Sequence, residues 1–311
     1  MRTLRFHRTG EPLDVLRLED AEPPRPAPGQ IRVAVEVCTV NPADLALCRG
    51  LYPGDLPRGI GLEVAGAVDA IGDGVPGVRL GDAVFGPAPF TGPTAGASGH
   101  ALLDSWFPRP PALEPAAAAA LPMAVDTAQL GLDLLEVTAA TTLLVSGGGT
   151  TTGFAAVQLA RRTGARVLTT AGPTHTGALR ATGAEVTPYG EGMAGRIREL
   201  AGGPVDVVLD VSPPDDATIP ELLRTVTDPR HVLTISNLAA ARELGARDAF
   251  TEGPLGHRYD VVGECARLAA EGRFGIPLAR VIPLADWREA IELSQSPHPG
   301  GKIVLRIADP R

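Results

Sequence analysis

Val145-Ser146-Gly147-Gly148-Gly149-Thr150-Thr151-Thr152-Gly153 is the stretch from which the architecture of this chain is read. It follows a short apolar run, Thr141-Thr142-Leu143-Leu144-Val145. It opens a segment in which Gly153, Val157 and Ala160 recur at helical spacing. A glycine turn between a strand and a helix is a place to hold a dinucleotide pyrophosphate. Glycines let the backbone turn sharply and approach the phosphates, and the helix N-terminus offers N–H groups and partial positive charge. The match to Gly-x-Gly-x-x-Gly is incomplete in either register. Read from Gly147, the last glycine is Thr152; read so that Gly153 is last, the middle one is Thr150. A threonine side chain takes up room beside the phosphates, yet its hydroxyl can also donate to them. Two readings stand. Either Gly147, Gly148, Gly149, Thr150, Thr151, Thr152 and Gly153 form a working cofactor loop, or the turn is structural and has lost its ligand.

Downstream, strand and helix alternate. Arg166–Thr170, Val205–Asp210 and His231–Ile235 read as strands, with helices around Thr176–Thr182 and Ile219–Val226. Such alternation implies right-handed βαβ units and a doubly wound parallel sheet. The strand after the glycine turn ends Thr169-Thr170-Ala171-Gly172-Pro173, with no Asp or Glu to hold a ribose 2′-hydroxyl, which favours NADPH over NAD. Gly172 lies at that strand's end, and His175 and Arg180, with Tyr189 further along, are the candidates to meet a 2′-phosphate; Arg180 reads equally as a solvated helix residue. Upstream the pattern is β-rich: Ile31–Val37 alternates, Val64–Val68 is a second strand, and Gly72-Asp73-Gly74 and Gly81-Asp82 supply turns. A proline-rich link at 108–115 leads to helices near 116–121 and 125–135. The tail returns to a helix at 286–294 and a last strand, Lys302–Arg306. An outer domain, 1–121 with 256–311, around an inner domain, 122–255, is expected.

The 311 residues are enough for two domains, with 44% hydrophobic and 21% charged side chains, as in a globular protein. A formal charge of −8 and scattered basic residues argue against nucleic acid or an anionic membrane as partner. Three cysteines, Cys38, Cys48 and Cys265, make no disulfide framework, and no long apolar run or signal-like start is present, so a cytoplasmic setting is expected. Lys302 is the only lysine; every other cation among the 28 basic residues is arginine. No Gly-x-Ser-x-Gly elbow surrounds Ser146, and no lysine follows the glycine turn, which excludes a serine hydrolase of that type and a P-loop NTPase.

Asn41-Pro42-Ala43-Asp44, Arg49–Pro53, Gly61–Gly66, Gly81–Gly86, Ala117–Pro122 with Thr127, Val157–Ala160 and Gly301–Leu305 follow one another in an order that resembles the zinc-independent quinone oxidoreductase and enoyl reductase branch of the medium-chain dehydrogenase/reductase superfamily. The resemblance implies an α/β fold: a GroES-like β-rich catalytic domain plus a Rossmann domain, in a homodimer. It implies that Asn41 and Tyr52 line the cleft beside the nicotinamide, that Thr127 contacts the nicotinamide ribose, and that Asn237 lies near the ring. Ala46, Leu62, Phe90 and Ser98 would complete the substrate cleft. Asn41 and Leu62 stand where the zinc branch has a cysteine and a histidine ligand, so no metal is expected. Structural readings accompany these: Asn41 can simply start a turn, Tyr52 can be packing, and Asp44, Glu63 and Lys302 are expected to be structural. Small residues at Ala46, Ser98 and Ala101 suggest a roomy cleft with an adaptable edge at 87–100, which Phe90 or Trp106 would have to leave open.

The expected activity is NADPH-dependent reduction of a quinone or an enone, with a small molecule, such as a bulky polyketide-like intermediate, as substrate. The alternatives are a redox-neutral cyclase, eliminase or rearrangement catalyst without cofactor, motivated by the threonine-filled loop, and a non-enzymatic binding protein.

Overall fold

The computed structural model describes residues 1–252 and 256–307. Positions 253–255 and 308–311, at the edges of the expected domain spans, lie outside the described residues. The chain divides into two compact units, Ala124–Val261 and, discontinuously, 1–123 with the residues from Val262 onward.

The unit formed by Ala124–Val261 is a six-stranded parallel sheet. Its spatial order is Glu185–Thr187, Arg166–Thr170, Thr142–Ser146, Val207–Asp210, Val232–Thr234 and Arg247–Asp248. The strand that is first in sequence, Thr142–Ser146, therefore lies inside the sheet. Strand order runs outward from it in both directions, which makes its carboxyl end the switch point where such sheets bind ligands. Helix Thr151–Thr163 follows that strand and buries Gly153, Phe154, Ala155, Ala156, Val157, Leu159 and Ala160; Gly164 ends it in a left-handed conformation. Between the expected strands and helices the structure adds Glu185–Thr187 and helix Met193–Ala201, which are too short or too polar to stand out in the sequence. Leu144, Leu168, Ile197, Val208, Ile219, Leu222 and Val232 form one core on this sheet.

The discontinuous unit is built on a sheet in the order Leu278–Pro283, Lys302–Arg306, Ile31–Val40, Glu63–Ile71, Ala83–Pro87 and Phe107–Pro108, with His100–Leu103 also paired to Ile31–Val40. Arg2–Phe6 joins Leu16–Asp20 and Arg58–Gly59 in a second, small sheet. The closing strand Lys302–Arg306 lies antiparallel to Ile31–Val40, with Ile303 opposite Val40. That register carries Lys302 to the end of the strand from which Asn41 follows. Alternate residues of Ile31–Val35 enter a core with Leu4, Phe6, Leu47, Ile60, Leu62 and Ile303.

Among the described residues no helix is long and apolar enough to cross a membrane.

Candidate functional site

The glycine turn occupies the switch point. Gly147 has φ +86°, and a Cβ there would lie 2.7 Å from the backbone of Ser212; one at Gly153 would lie 2.1 Å from the carbonyl oxygen of Gly147. Both glycines are demanded by close backbone approach. The threonines resolve differently from what the motif implies. Thr150 caps the helix: its hydroxyl accepts from Gly153 N–H at 3.0 Å and donates to the Gly147 carbonyl at 2.9 Å. Its side chain thus turns back into the loop instead of standing over it. Gly147 N–H donates to Thr170 Oγ1 and Gly148 N–H to the Thr170 carbonyl, so neither is free for a ligand. The N–H groups of Gly149, Thr151 and Thr152 donate to no described group. These three, with the partial positive charge of a thirteen-residue helix, suit a pyrophosphate.

Next to the turn, His175 lies edge-on to Phe154, and its Cδ2 would be 3.2 Å from a Cβ at Gly149. A hollow of about 440 Å³ at the end of strand Arg166–Thr170 is lined by Ala171, Gly172, Pro173, Thr176, Gly177, Pro188 and Tyr189. Gly172 and Tyr189 from the sequence reading are thus brought together, with Tyr189 exposed. Arg180 is exposed, reaches the Val186 carbonyl at 3.5 Å among the described residues, and is not among the residues that line the hollow. Arg196, which the sequence reading missed, is fixed instead beside Pro188, donating to the carbonyls of Pro188 and Glu191 and to Thr187 Oγ1. It pairs with no carboxylate among the described residues. Its only signal in the sequence is a helix position near Tyr189. Thr127 is half-buried on helix Pro122–Leu134.

Asn237 belongs to a buried hydrogen-bond network. Its amide donates to Asp210 Oδ2 at 2.7 Å and reaches Ser212 Oγ at 3.5 Å, while its carbonyl accepts from Asp215 N–H at 2.8 Å. Only 6% exposed, it ties together the loops after two strands. The centre of that network is Asp210, fully buried and accepting also from Thr234 Oγ1 and Ser212 Oγ. A wholly hydrogen-bonded carboxylate without a cation can remain buried because each lone pair has a donor.

In the discontinuous unit, a polar cluster sits in the core at the start of helix Pro42–Cys48. Lys302 Nζ, 3% exposed, lies 2.6 Å from both Asn41 Oδ1 and Glu63 Oε2. Asn41 Nδ2 donates to Thr39 Oγ1 at 3.1 Å and to Glu63 Oε2 at 3.0 Å. Glu63 Oε1 accepts from Met123 N–H, and Asp44 accepts from the N–H groups of Asn41 and Gly61. Asn41 thus points its amide inward, with Nδ2 facing the adjacent Thr39 Oγ1 and Glu63 Oε2 and Oδ1 accepting from Lys302. The donor set does not fit a zinc ion either. An ammonium already sits where Glu63 and Asn41 converge, and Leu62 is a wholly buried core residue. Among the described residues no group of three or more His, Cys, Asp or Glu is arranged to hold a metal.

Burial raises the carboxyl of Asp44 to about 6 and pushes the Cys48 thiol up to about 12. Since folding raises the Asp44 value, it favours the protonated form, and the stability this contributes falls as pH rises from about 4 to 6. Asp44→Asn is therefore expected to be most costly near pH 4. Its deficit against wild type should shrink by on the order of 2–3 kcal/mol by pH 7, read from urea unfolding at both pH values.

Two more residues assigned to the substrate cleft are packed elsewhere. Leu62 is one; the other is Ser98, which is fully buried and hydrogen-bonded to Thr3. Ala101 is likewise enclosed, in strand His100–Leu103. Their small size serves close packing, so it does not argue for a roomy cleft; only Ala46 of that set is partly exposed. The edge at 87–100 is also less adaptable than its composition suggests: residues 95–98 are buried, and Gly96 and Ala97 donate to the carbonyls of Gly61 and Ile60. Trp106 packs against the core of this unit. Tyr52 and Phe90 are the cleft candidates that remain at the surface, 37% and 38% exposed, with ring centroids 5.8 Å apart.

A doubly wound sheet with a glycine turn at its switch point, in one chain with a discontinuous β-rich unit, is the architecture of a two-domain dehydrogenase. Family models agree: residues 27–101 match the alcohol dehydrogenase GroES-like domain and residues 182–305 match the zinc-binding dehydrogenase family. The chain belongs to the medium-chain dehydrogenase/reductase superfamily, whose oxidoreductases use nicotinamide dinucleotides. A solved quinone oxidoreductase from Coxiella burnetii superposes with a TM-score of 0.82 at 26% identity, covering 99% of each chain. The spectinabilin polyketide synthase system protein NorB of Streptomyces orinoci is 34% identical over 84% of this chain and 12% of its own length. The phthioceranic/hydroxyphthioceranic acid synthase of Mycobacterium tuberculosis is 32% identical over 91% of this chain and 14% of its own. The chain thus spans about an eighth of the length of these curated relatives.

Proposed function

We propose that the protein is an NADPH-dependent, zinc-independent reductase of a quinone or an α,β-unsaturated carbonyl, with a polyketide-like intermediate as the natural substrate class. The observation that carries this reading is the glycine turn. Thr150 is folded into the cap, and the N–H groups of Gly149, Thr151 and Thr152 are left unengaged at a switch point. The threonines that made a lost cofactor loop conceivable are therefore compatible with binding. NADPH is preferred to NADH because the hollow beyond Gly172 has no carboxylate in its lining and has Arg196 fixed at its Pro188 edge. The polyketide-like substrate is suggested by the two synthase relatives, and the quinone by the Coxiella burnetii structure.

When bound, the nicotinamide supplies a hydride to the electrophilic carbon of the substrate. The chain must then meet the negative charge that develops on the substrate oxygen and deliver a proton. Asn41 is buried, and Tyr52 is the candidate proton donor that remains at the surface. Asn41, Glu63 and Lys302 hold the start of helix Pro42–Cys48 and the strand ends next to it, and the proton step is left to the phenol or to water.

Titration with NADPH should enhance its nicotinamide fluorescence at micromolar concentrations, with NADH weaker by at least about tenfold. NADPH should be consumed when a short enone or benzoquinone is added. Tyr52→Phe should keep NADPH binding and lower kcat about a hundredfold, within the usual range for losing a positioned proton donor. Absence of NADPH binding at millimolar concentration would sink the reading.

A further inference from the structure

Arg58 is 3% exposed, yet among the described residues it forms no ion pair with any carboxylate. Its Nη1 donates to the Tyr52 carbonyl and its Nη2 to the Phe90 carbonyl, while its Nε is buried without a partner. Gly54 lies against the guanidinium: a Cβ there would be 3.1 Å from Nη1 and 3.2 Å from Cζ. A buried, unneutralised arginine is costly to keep. What this one does is tie two surface loops, 51–57 and 88–94, to a single planar group. Those loops carry Leu51, Tyr52, Leu56 and Phe90, four of the eleven large hydrophobic side chains exposed among the described residues. Leu51 is 71% exposed, and Tyr52 meets Phe90 edge-on. Clustered apolar exposure on loops marks a surface that something apolar covers.

We propose that Arg58 is a positioning residue for substrate selection: by holding the Tyr52 and Phe90 carbonyls it sets these two rings as a fixed lip that takes the hydrocarbon chain of an acyl substrate. The proposal rests on the reading of the protein as a reductase of acyl-type enones, which makes a flexible alkyl chain the occupant. Arginine suits the task because its planar fork reaches two carbonyls at once, whereas lysine, a point donor on a flexible stem, holds such a pair less rigidly. The clasp lowers the entropy that the loops would otherwise lose on binding.

The test uses the whole protein and acyl thioesters of N-acetylcysteamine carrying four or ten carbons. Binding of the saturated pair, measured by calorimetry, needs no turnover. KM and kcat for the 2-enoyl pair with NADPH test the lip in catalysis. Wild type should bind the ten-carbon thioester at least about thirtyfold more tightly than the four-carbon one. In Arg58→Met that ratio should fall to about threefold, with Arg58→Lys in between; the KM change should fall on the ten-carbon substrate, while any loss in kcat from a released Tyr52 should be alike for both chain lengths. Phe90→Ala, a change at an exposed ring that does not threaten the fold, should lower the ratio at least about fivefold. An unchanged ratio in folded Arg58→Met or in Phe90→Ala, or no chain-length preference in wild type, overturns the proposal. Chain-length-dependent binding without reduction of either enoyl thioester leaves the lip standing and overturns the reductase reading instead.

Discussion

Lys302→Met is expected to destabilise the discontinuous unit by about 3–5 kcal/mol, the usual consequence of removing one partner from a buried ion pair. The substitution leaves Glu63, which is fully buried, without its cation, and takes from Asn41 Oδ1 the donor 2.6 Å away. Thr39, Asn41 and Met123 N–H still donate to Glu63, but none carries a charge. The double substitution Lys302→Met with Glu63→Leu should recover only part of the loss: it removes both charges together but leaves Thr39, Asn41 and Met123 N–H without the acceptor they had. Chemical denaturation followed with a probe in this unit would separate its transition from that of the other unit. A loss below about 1 kcal/mol for Lys302→Met would mean that the ammonium finds water in the folded protein and that the cluster is not dry.

Gly153→Val is expected to abolish nucleotide binding, with at least about a hundredfold loss in NADPH affinity. A Cβ at this position would lie 2.1 Å from the Gly147 carbonyl oxygen and 2.8 Å from Gly148 Cα, so the turn must move away from the helix. That movement breaks the Thr150 cap, because Thr150 Oγ1 bonds both Gly147 and Gly153. It also displaces the N–H groups of Thr151 and Thr152 from the switch point. Thr150→Ala makes a useful contrast. It removes the cap, at a cost of about 1 kcal/mol, without forcing backbone apart, and should weaken NADPH far less than Gly153→Val. If Gly153→Val bound NADPH as wild type does, the turn would not be the phosphate site. Circular dichroism would show whether the helix still forms.

The two substitutions differ in how visible their causes are in the sequence. Gly153 announces itself, because a strand, a glycine turn and a small-residue helix face are neighbours along the chain. Lys302 shows only that it is the single lysine and that it sits in a closing Gly-Lys-Ile-Val-Leu block. Its role as structural follows from that block, but the identity of its partners does not. The pairing of Ile303 with Val40 brings it to Asn41, 261 positions away. The surroundings of Asn41, Leu62, Ser98 and Asn237 are hidden from the sequence for the same reason. A polar or small residue in a family position is consistent with facing a ligand or facing a neighbour, and only packing tells which. Each of the two amides donates to a buried carboxylate, Glu63 or Asp210. Arg58 and Arg196 were passed over because arginine is abundant in this chain, and nothing along the sequence distinguishes a buried or carbonyl-held guanidinium from a solvated one.

The sequence by itself determined what depends on near neighbours. The alternation of apolar strands with helices, the glycine turn between Val145 and Gly153, and the ordered blocks that mark the superfamily are all short-range patterns. Backbone hydrogen bonding and amphipathic periodicity act over a few residues, so these are written locally. Only the tertiary structure decided which polar groups remain available for chemistry. A buried donor must find an acceptor wherever the fold supplies one. For Asn41 and Asn237 that acceptor lies more than twenty residues away.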